Sequence, residues 1–258
     1  MHKRILPQVA AIAIILVTAF AAQAEENKGD SNRWGFNLGV GATVSTSEYR
    51  GVERLGTALP LLGYEGEWLY LRGLNGGVHL FKNENHELNV QLSYLPQHFT
   101  ASWSENSAIK KLDDRYSTAM AGINYRLRTD LGVLAATLST DALGVNNGLM
   151  GEASYSYPIR LVDMSIIPAL GVQWTDANYN DYYYGVSKSE AQASGLSHYS
   201  PEGSVAPYGE LTMRLGLTER WSVFVNGKAL FLGDEVSNSP MVEHSNKYSL
   251  SGGFLYAF

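Results

Sequence analysis

Apolar and polar residues alternate with a period of two along most of this chain. From Trp34 the even positions read Trp34, Phe36, Leu38, Val40, Ala42 and Val44, and the odd ones Gly35, Asn37, Gly39, Gly41, Thr43 and Ser45. Successive side chains of a strand point to opposite faces, so the segment has one apolar and one small or polar face. Leu88, Val90, Leu92 and Tyr94 oppose Asn89, Gln91 and Ser93 in the same way. Leu211, Met213, Leu215 and Leu217 oppose Glu210, Thr212, Arg214 and Gly216. Trp221, Val223, Val225, Ala229 and Phe231 oppose Ser222, Asn226 and Lys228, with Phe224 and Leu230 breaking the pattern. The polar rows carry isolated mid-strand charges (Arg126, Glu152, Arg214, Lys228), which a wet lumen can pair and hydrate. The apolar rows end in aromatics, namely Trp34 and Phe36, Tyr155 and Tyr157, Trp174, Trp221, Tyr256 and Phe258. Rows of this kind predict strands whose apolar face meets lipid between two aromatic girdles.

Twelve strands are expected, at about 33–45, 56–64, 67–73, 75–82, 86–98, 115–128, 131–141, 148–158, 163–175, 205–217, 221–232 and 247–258. The joins after strands 2, 4, 6, 8 and 10 are short, and those after 1, 5, 7, 9 and 11 are longer. Alternating short turns and long loops predict an all-β, transmembrane antiparallel barrel of about twelve strands, ten or fourteen being the alternatives. Only the join near Leu74 breaks the alternation. The final segment places Tyr248, Leu250, Phe254, Tyr256 and Phe258 on one face and ends on the aromatic Phe258.

The N-terminus indicates the compartment. Lys3 and Arg4 precede an apolar run from Ile5 to Phe20, and Ala22-Gln23-Ala24 forms a small-x-small cleavage site. This predicts a signal peptide at 1–24 and a barrel at 25–258, with export to the cell outer membrane. There is no cysteine, which removes a lipoprotein anchor, disulfides and thiolate metal sites. The net charge of −6 argues against nucleic acid as a partner. The 26 Gly and 16 Tyr suit a barrel that needs small residues inside and aromatics outside.

Candidate chemistry is sparse. His198 lies near Ser197 and Ser200, and His79, His86 and His98 lie in or near strands. Adjacent residues in a loop do not supply the nucleophile, base and orienting group that covalent catalysis needs. Asp176-Ala-Asn178-Tyr-Asn180 imitates the start of a calcium loop, but Asp181 stands where glycine is required and Ser187 where glutamate is. No catalytic, cofactor-binding or metal-ligating residue is therefore expected, and the chain is not expected to be an enzyme.

The longest connection reads Asp181-Tyr-Tyr-Tyr-Gly-Val-Ser-Lys-Ser-Glu-Ala-Gln-Ala-Ser-Gly-Leu-Ser-His-Tyr-Ser-Pro-Glu-Gly203. It resembles a segment of the MipA/OmpV family of outer-membrane proteins. Trp34 to Gly41, Tyr49-Arg50-Gly51 and Pro60 resemble that family's opening strand and first loop. The resemblance implies a scaffold in the outer-membrane lipid, with a periplasmic murein transglycosylase and a murein synthase as partners. The residues it singles out for an interaction loop are Tyr182, Tyr183, Tyr184, Gly185, Glu190, Gly195, Tyr199 and Pro201. Strand parity puts this loop on the outer side, beyond a periplasmic partner's reach. Either the contact uses the short turns and barrel rim, or the loop folds into the lumen. Two other functions stay open: a small pore for small solutes, and a surface adhesin or antigen acting through the 176–204 loop. Oligomeric state is left open.

Overall fold

The computed structural model describes residues 35–258; the expected signal peptide and Trp34 lie outside them. Thirteen antiparallel strands form one sheet: β1 (Gly35–Thr46), β2 (Arg54–Glu65), β3 (Leu69–Arg72), β4 (Asn75–Lys82), β5 (His86–Leu95), β6 (Thr118–Thr129), β7 (Gly132–Asp141), β8 (Leu149–Ser156), β9 (Ile159–Arg160), β10 (Met164–Thr175), β11 (Ser204–Gly216), β12 (Trp221–Phe231) and β13 (Asn246–Ala257). β1 pairs with both β2 and β13, and β10 with β11, so the sheet closes into a barrel. β8 and β9 lie end to end along β10 and make one broken stave. The wall therefore has twelve staves, the number the alternation predicts.

The period-two rows face as their chemistry requires. Leu38, Val40 and Val44 point outward beside Leu250 and Phe254, while Asn37, Thr43 and Ser45 point in. Phe36, Trp221, Tyr256 and Phe258 cluster at the short-turn rim, with Trp221 packed edge-on to Tyr256 and Tyr256 to Phe258. Aromatic rings with a polar edge suit the membrane–water boundary.

The lumen is packed. On β5 the fully buried Glu87 accepts from Arg72 Nη2 at 2.9 Å, from Arg128 Nη2 and from Asn89 Nδ2 at 2.9 Å. Arg72 also reaches Glu65, which holds His79 Nε2 at 3.2 Å and Lys82. On the opposite wall Asn226 Nδ2 donates to Glu210 Oε1 and Thr212 Oγ1, each at 2.7 Å. Charges of the wall thus meet counter-charges, Arg72 between Glu65 and Glu87, and Lys228 at 4.0 Å from Glu210, as ions in a low-dielectric interior require. Phe224, which breaks its row, turns inward and joins Leu61 and Leu255 in an apolar layer seated on Gly39, Gly41 and Gly253.

The irregular join near Leu74 has a structural reason. β3 has four residues, and its hairpin with β4 turns at Gly73 (φ 65°) only part-way up the wall. β3 meets β2 over Gly63–Glu65 alone, and the last tie is Gly73 N–H to Leu62 O at 2.9 Å. Among the described residues, no strand neighbours β2 on that side from residue 61 up to 54. Pro60 stands in this stretch; proline has no N–H to give a ladder, so it belongs at an edge. Pro168 lies opposite the β8–β9 break, and Pro207 one residue beyond the β11–β12 ladder. Each strand proline marks an interruption of the wall.

Candidate functional site

The outer mouth is closed by a cap that the connections build together. After β10, Asp176 accepts from Tyr179 N–H and starts helix α1 (Ala177–Tyr184). The segment that imitates a calcium loop is thus a helix N-cap. Tyr179, Tyr183 and Tyr184 fall on the buried side of α1, at the spacing of one helical face. A second helix, α2 (Lys188–Ser194), begins with a capping box between Ser187 and Glu190 and ends on Gly195 (φ 80°). Helix α3 (Asp234–Ser237) follows β12. Tyr49, Phe99, Ile109, Tyr183, Val186 and Met241, drawn from four connections, share one apolar core. Leu95 of β5 and Met120 of β6 belong to the same core, which therefore sits at the mouth of the barrel.

The residues expected to form an interaction loop are mostly structural neighbours within this cap. Tyr183, Tyr184, Gly185, Glu190 and Pro201 are buried, Tyr182 and Tyr199 half-buried, and Gly195 exposed. Tyr183 OH donates to Tyr116 O at 3.0 Å, and Tyr199 OH to Glu235 O at 2.9 Å. Tyr182 OH accepts from Tyr116 N–H at 2.9 Å. Glu190 accepts from Arg115 Nη2 at 2.8 Å, Asp113 N–H at 3.0 Å and Ser187 N–H at 2.9 Å. Arg115 therefore ties the cap, ahead of β6, instead of opening that strand. His198 Nδ1 donates to Val186 O at 2.6 Å and Ser200 Oγ to Asp181 Oδ1 at 3.0 Å, so neither engages the other.

Beneath the cap lies a chamber enclosing about 90 Å³. Its polar centre is Glu48, buried beside Lys247 Nζ at 3.1 Å and bonded by Gln97 Nε2 at 2.8 Å and Tyr184 OH at 3.1 Å. Burial alone would raise the Glu48 carboxyl, but the Lys247 charge and the Gln97 donor prevail and hold it below the usual carboxylate range. Burial pushes the Tyr49, Tyr179 and Tyr184 phenols up, with Glu48 adding to it, so all three stay neutral donors. Leu230, the second residue to break the β12 row, lines this chamber with Val236 and Lys228. Glu48, Gln97 and Lys247 were not legible as a group, because the loop packing that joins them spans the chain. The only local signal was a carboxylate directly before Tyr49-Arg50-Gly51.

A family model described as MltA-interacting protein MipA matches residues 38–258. The chain belongs to the MipA family. It is 34% identical to the MltA-interacting protein of Escherichia coli (strain K12), over 96% of this chain and 97% of that one. It is also 34% identical to the putative outer membrane protein YiaT of that organism, over 86% and 90%. To the outer membrane protein OmpV of Vibrio cholerae it is 24% identical, over 95% and 96%. The COG4313 outer membrane channel of Pseudomonas putida F1 is a similar solved structure, at 13% identity and a TM-score of 0.46, over 90% and 98%. This MipA-family chain is a β-barrel of the outer membrane, and its named relatives are an interacting protein and outer membrane proteins.

The cap of the MipA-family barrel is expected to respond to acid through Glu190. Burial opposes ionisation of Glu190, yet Asp113 N–H, Arg115 and Ser187 lower it to about 2. A carboxylate depressed in the folded state stabilises above its unfolded value of about 4.3 and loses that contribution as pH falls towards 2. Acidification from pH 5 to 2 should therefore loosen the 181–203 segment, by about 2 kcal/mol, before the barrel unfolds. Amide exchange of α2 measures this. Glu190→Gln should abolish the step, and an unchanged step in that variant rejects the assignment.

Proposed function

We propose that this chain is a scaffold that holds a periplasmic murein transglycosylase, together with a murein synthase, at the inner face of the outer membrane. The observation that carries this reading is a lumen obstructed twice in series. The ion network around Glu87 and the Phe224 layer fill it, and the shared loop core covers its mouth. A barrel built for solute flow keeps an aqueous channel, whereas small barrels are filled by side chains. The name of the Escherichia coli relative, MltA-interacting protein, points the same way. With the Tyr182–Pro201 segment packed into the cap on the far side, the contact surface falls to the short turns near residues 66–68, 83–85, 130–131, 161–163 and 218–220.

Two measurements test this. Purified protein in planar bilayers should give no stable ion steps; porin-like steps would overturn the reading in favour of a pore. Full-length protein in mild detergent should retain a purified murein transglycosylase, and charge reversal at Glu84 and Glu219 should weaken capture. Failure of the wild type to retain the enzyme rejects the scaffold.

A further inference from the structure

The half-height β3–β4 hairpin leaves a window in the wall. Its sill is the Gly73-Leu74 turn, where Tyr94 N–H reaches Leu74 O at 2.9 Å. One jamb is β2 from Arg54 to Leu61, and the other is the chain leaving β5 at Leu95. The lintel joins the two connections: Glu105 N–H donates to Gly51 O at 2.8 Å and Ser104 Oγ to Arg50 O at 2.7 Å. The outward side chains beside the window, Leu62, Leu92 and Tyr94, belong to the lipid-facing rows, so the window opens towards the membrane. The chamber lies directly behind it, because Leu55 from one jamb and Pro96 and His98 from the other line its wall.

The chamber also holds polar atoms that the protein does not use. Ser45 Oγ and Ser204 Oγ have no hydrogen-bond partner among the described residues, although these residues are only 2% and 6% exposed. His98 Nε2 is likewise buried without a partner. His98 Nδ1 lies 2.8 Å from Pro96 O, a carbonyl that can only accept, so Nδ1 carries the proton and Nε2 of the neutral ring is an acceptor. Buried polar groups normally find partners, and three of them on residues that line one chamber demand a common explanation. The rest of the wall combines apolar and aromatic groups, Tyr49, Tyr179, Leu230 and Val236, with the Glu48–Lys247 pair and Lys228.

We propose that this chamber is a binding site for a small one-ring alcohol or phenol that enters sideways from the outer leaflet through the β2–β5 window. The hydroxyl of such a molecule donates a hydrogen bond to His98 Nε2 and accepts one from Ser45 or Ser204, and its ring lies against Tyr49 and Tyr179. An apolar cavity of about 150 Å³ accepts benzene, and this chamber encloses about 90 Å³ and is partly open, so a single ring is the largest occupant it takes. The packed lumen below means that the ligand is held rather than passed to the periplasm. The site is independent of the scaffold reading.

The test has two arms, both on full-length protein in lipid vesicles, with folding checked by heat-modifiable migration. In the first, titration calorimetry compares phenol with toluene, which has the ring but no donor. Phenol should bind more tightly, and His98→Phe should weaken it about tenfold, the worth of one buried hydrogen bond, while leaving toluene unchanged. Absence of phenol binding, or equal affinities in wild type and variant, overturns the site. The second arm uses the absence of native cysteine. Ser45→Cys, or Ser204→Cys if the first does not fold, should react with a neutral, membrane-partitioning maleimide at least tenfold faster than with a sulfonated one confined to water. Equal rates would place the entrance in the cap and overturn the sideways route.

Discussion

Gly39→Val is expected to prevent the barrel from closing. Gly39 faces inward on β1, opposite Leu255 of β13, at the seam where the first strand meets the last. A Cβ there would lie well inside van der Waals distance of the Phe254 carbonyl oxygen, 2.8 Å from Leu255 Cδ2 and 3.2 Å from Leu255 Cα. Two of these obstacles are backbone, and Leu255 is fully buried, so neither can swing aside. The ladder must open at its closing seam, and in lipid an unpaired seam leaves backbone groups with no water to replace their partners. Refolding into detergent should yield less than about a tenth of the wild-type heat-modifiable band, because relieving the clash keeps the seam open and cancels the whole folding free energy, on the order of 5–15 kcal/mol. Gly56→Val is the control: a Cβ there meets nothing within 4 Å, so this variant should fold normally. Equal yields from the two variants would refute the argument.

The second large effect is expected at Glu87. This carboxylate is fully buried and receives Arg72, Arg128 and Asn89. Replacing it with leucine takes from Arg72 one of its two carboxylate partners, Glu65 being the other, and from Arg128 the carboxylate it meets in the lumen. Breaking a buried pair from one side costs about 3–5 kcal/mol, because the remaining charge stays desolvated. Urea unfolding from lipid vesicles, followed by tryptophan fluorescence, should show a loss of this size for Glu87→Leu and a large part of it for Glu87→Gln. Lys82 belongs to the same network but is about a third exposed, so Lys82→Met should cost less than about 1 kcal/mol. A Glu87→Gln variant as stable as Lys82→Met would mean that the network does not stiffen the lumen.

The strands were legible because a barrel wall is a repeated local rule. Leu38 and Val40 point to lipid for the same reason as Leu211 and Met213, and period two is enough to say so. The departures carried as much information as the pattern. Phe224 and Leu230 broke their row because one packs the lumen and the other lines the chamber. The odd join at Leu74 marked a hairpin that stops part-way up the wall. The cap was harder to read. Asp176 before Tyr179, and Ser187 before Glu190, are helix-start signals, but a three-tyrosine run in a long loop fits a contact surface as well as a core. Only the arrival of Tyr49, Phe99 and Met241 from distant connections decides between them. The chamber was least legible, since Ser45, His98, Ser204 and Lys247 meet through long-range closure alone.

The half-height hairpin also has a mechanical consequence. In the half of the barrel nearer the short turns, twelve staves form a complete hoop, and its girth is fixed by continuous ladders. In the outer half the hoop is an arc of ten staves with free ends at β2 and β5. An open arc resists flattening poorly unless something ties its ends, and here the tie is the contact of Arg50-Gly51 with Ser104-Glu105. The positive φ of Gly51 and the closeness of Ser104 Oγ leave no room there for a side chain. The roundness of the outer mouth therefore rests on contacts between loops, this clasp together with Gln97 on Glu48 and Tyr49 against Phe99, while the opposite end keeps its shape through its ladders.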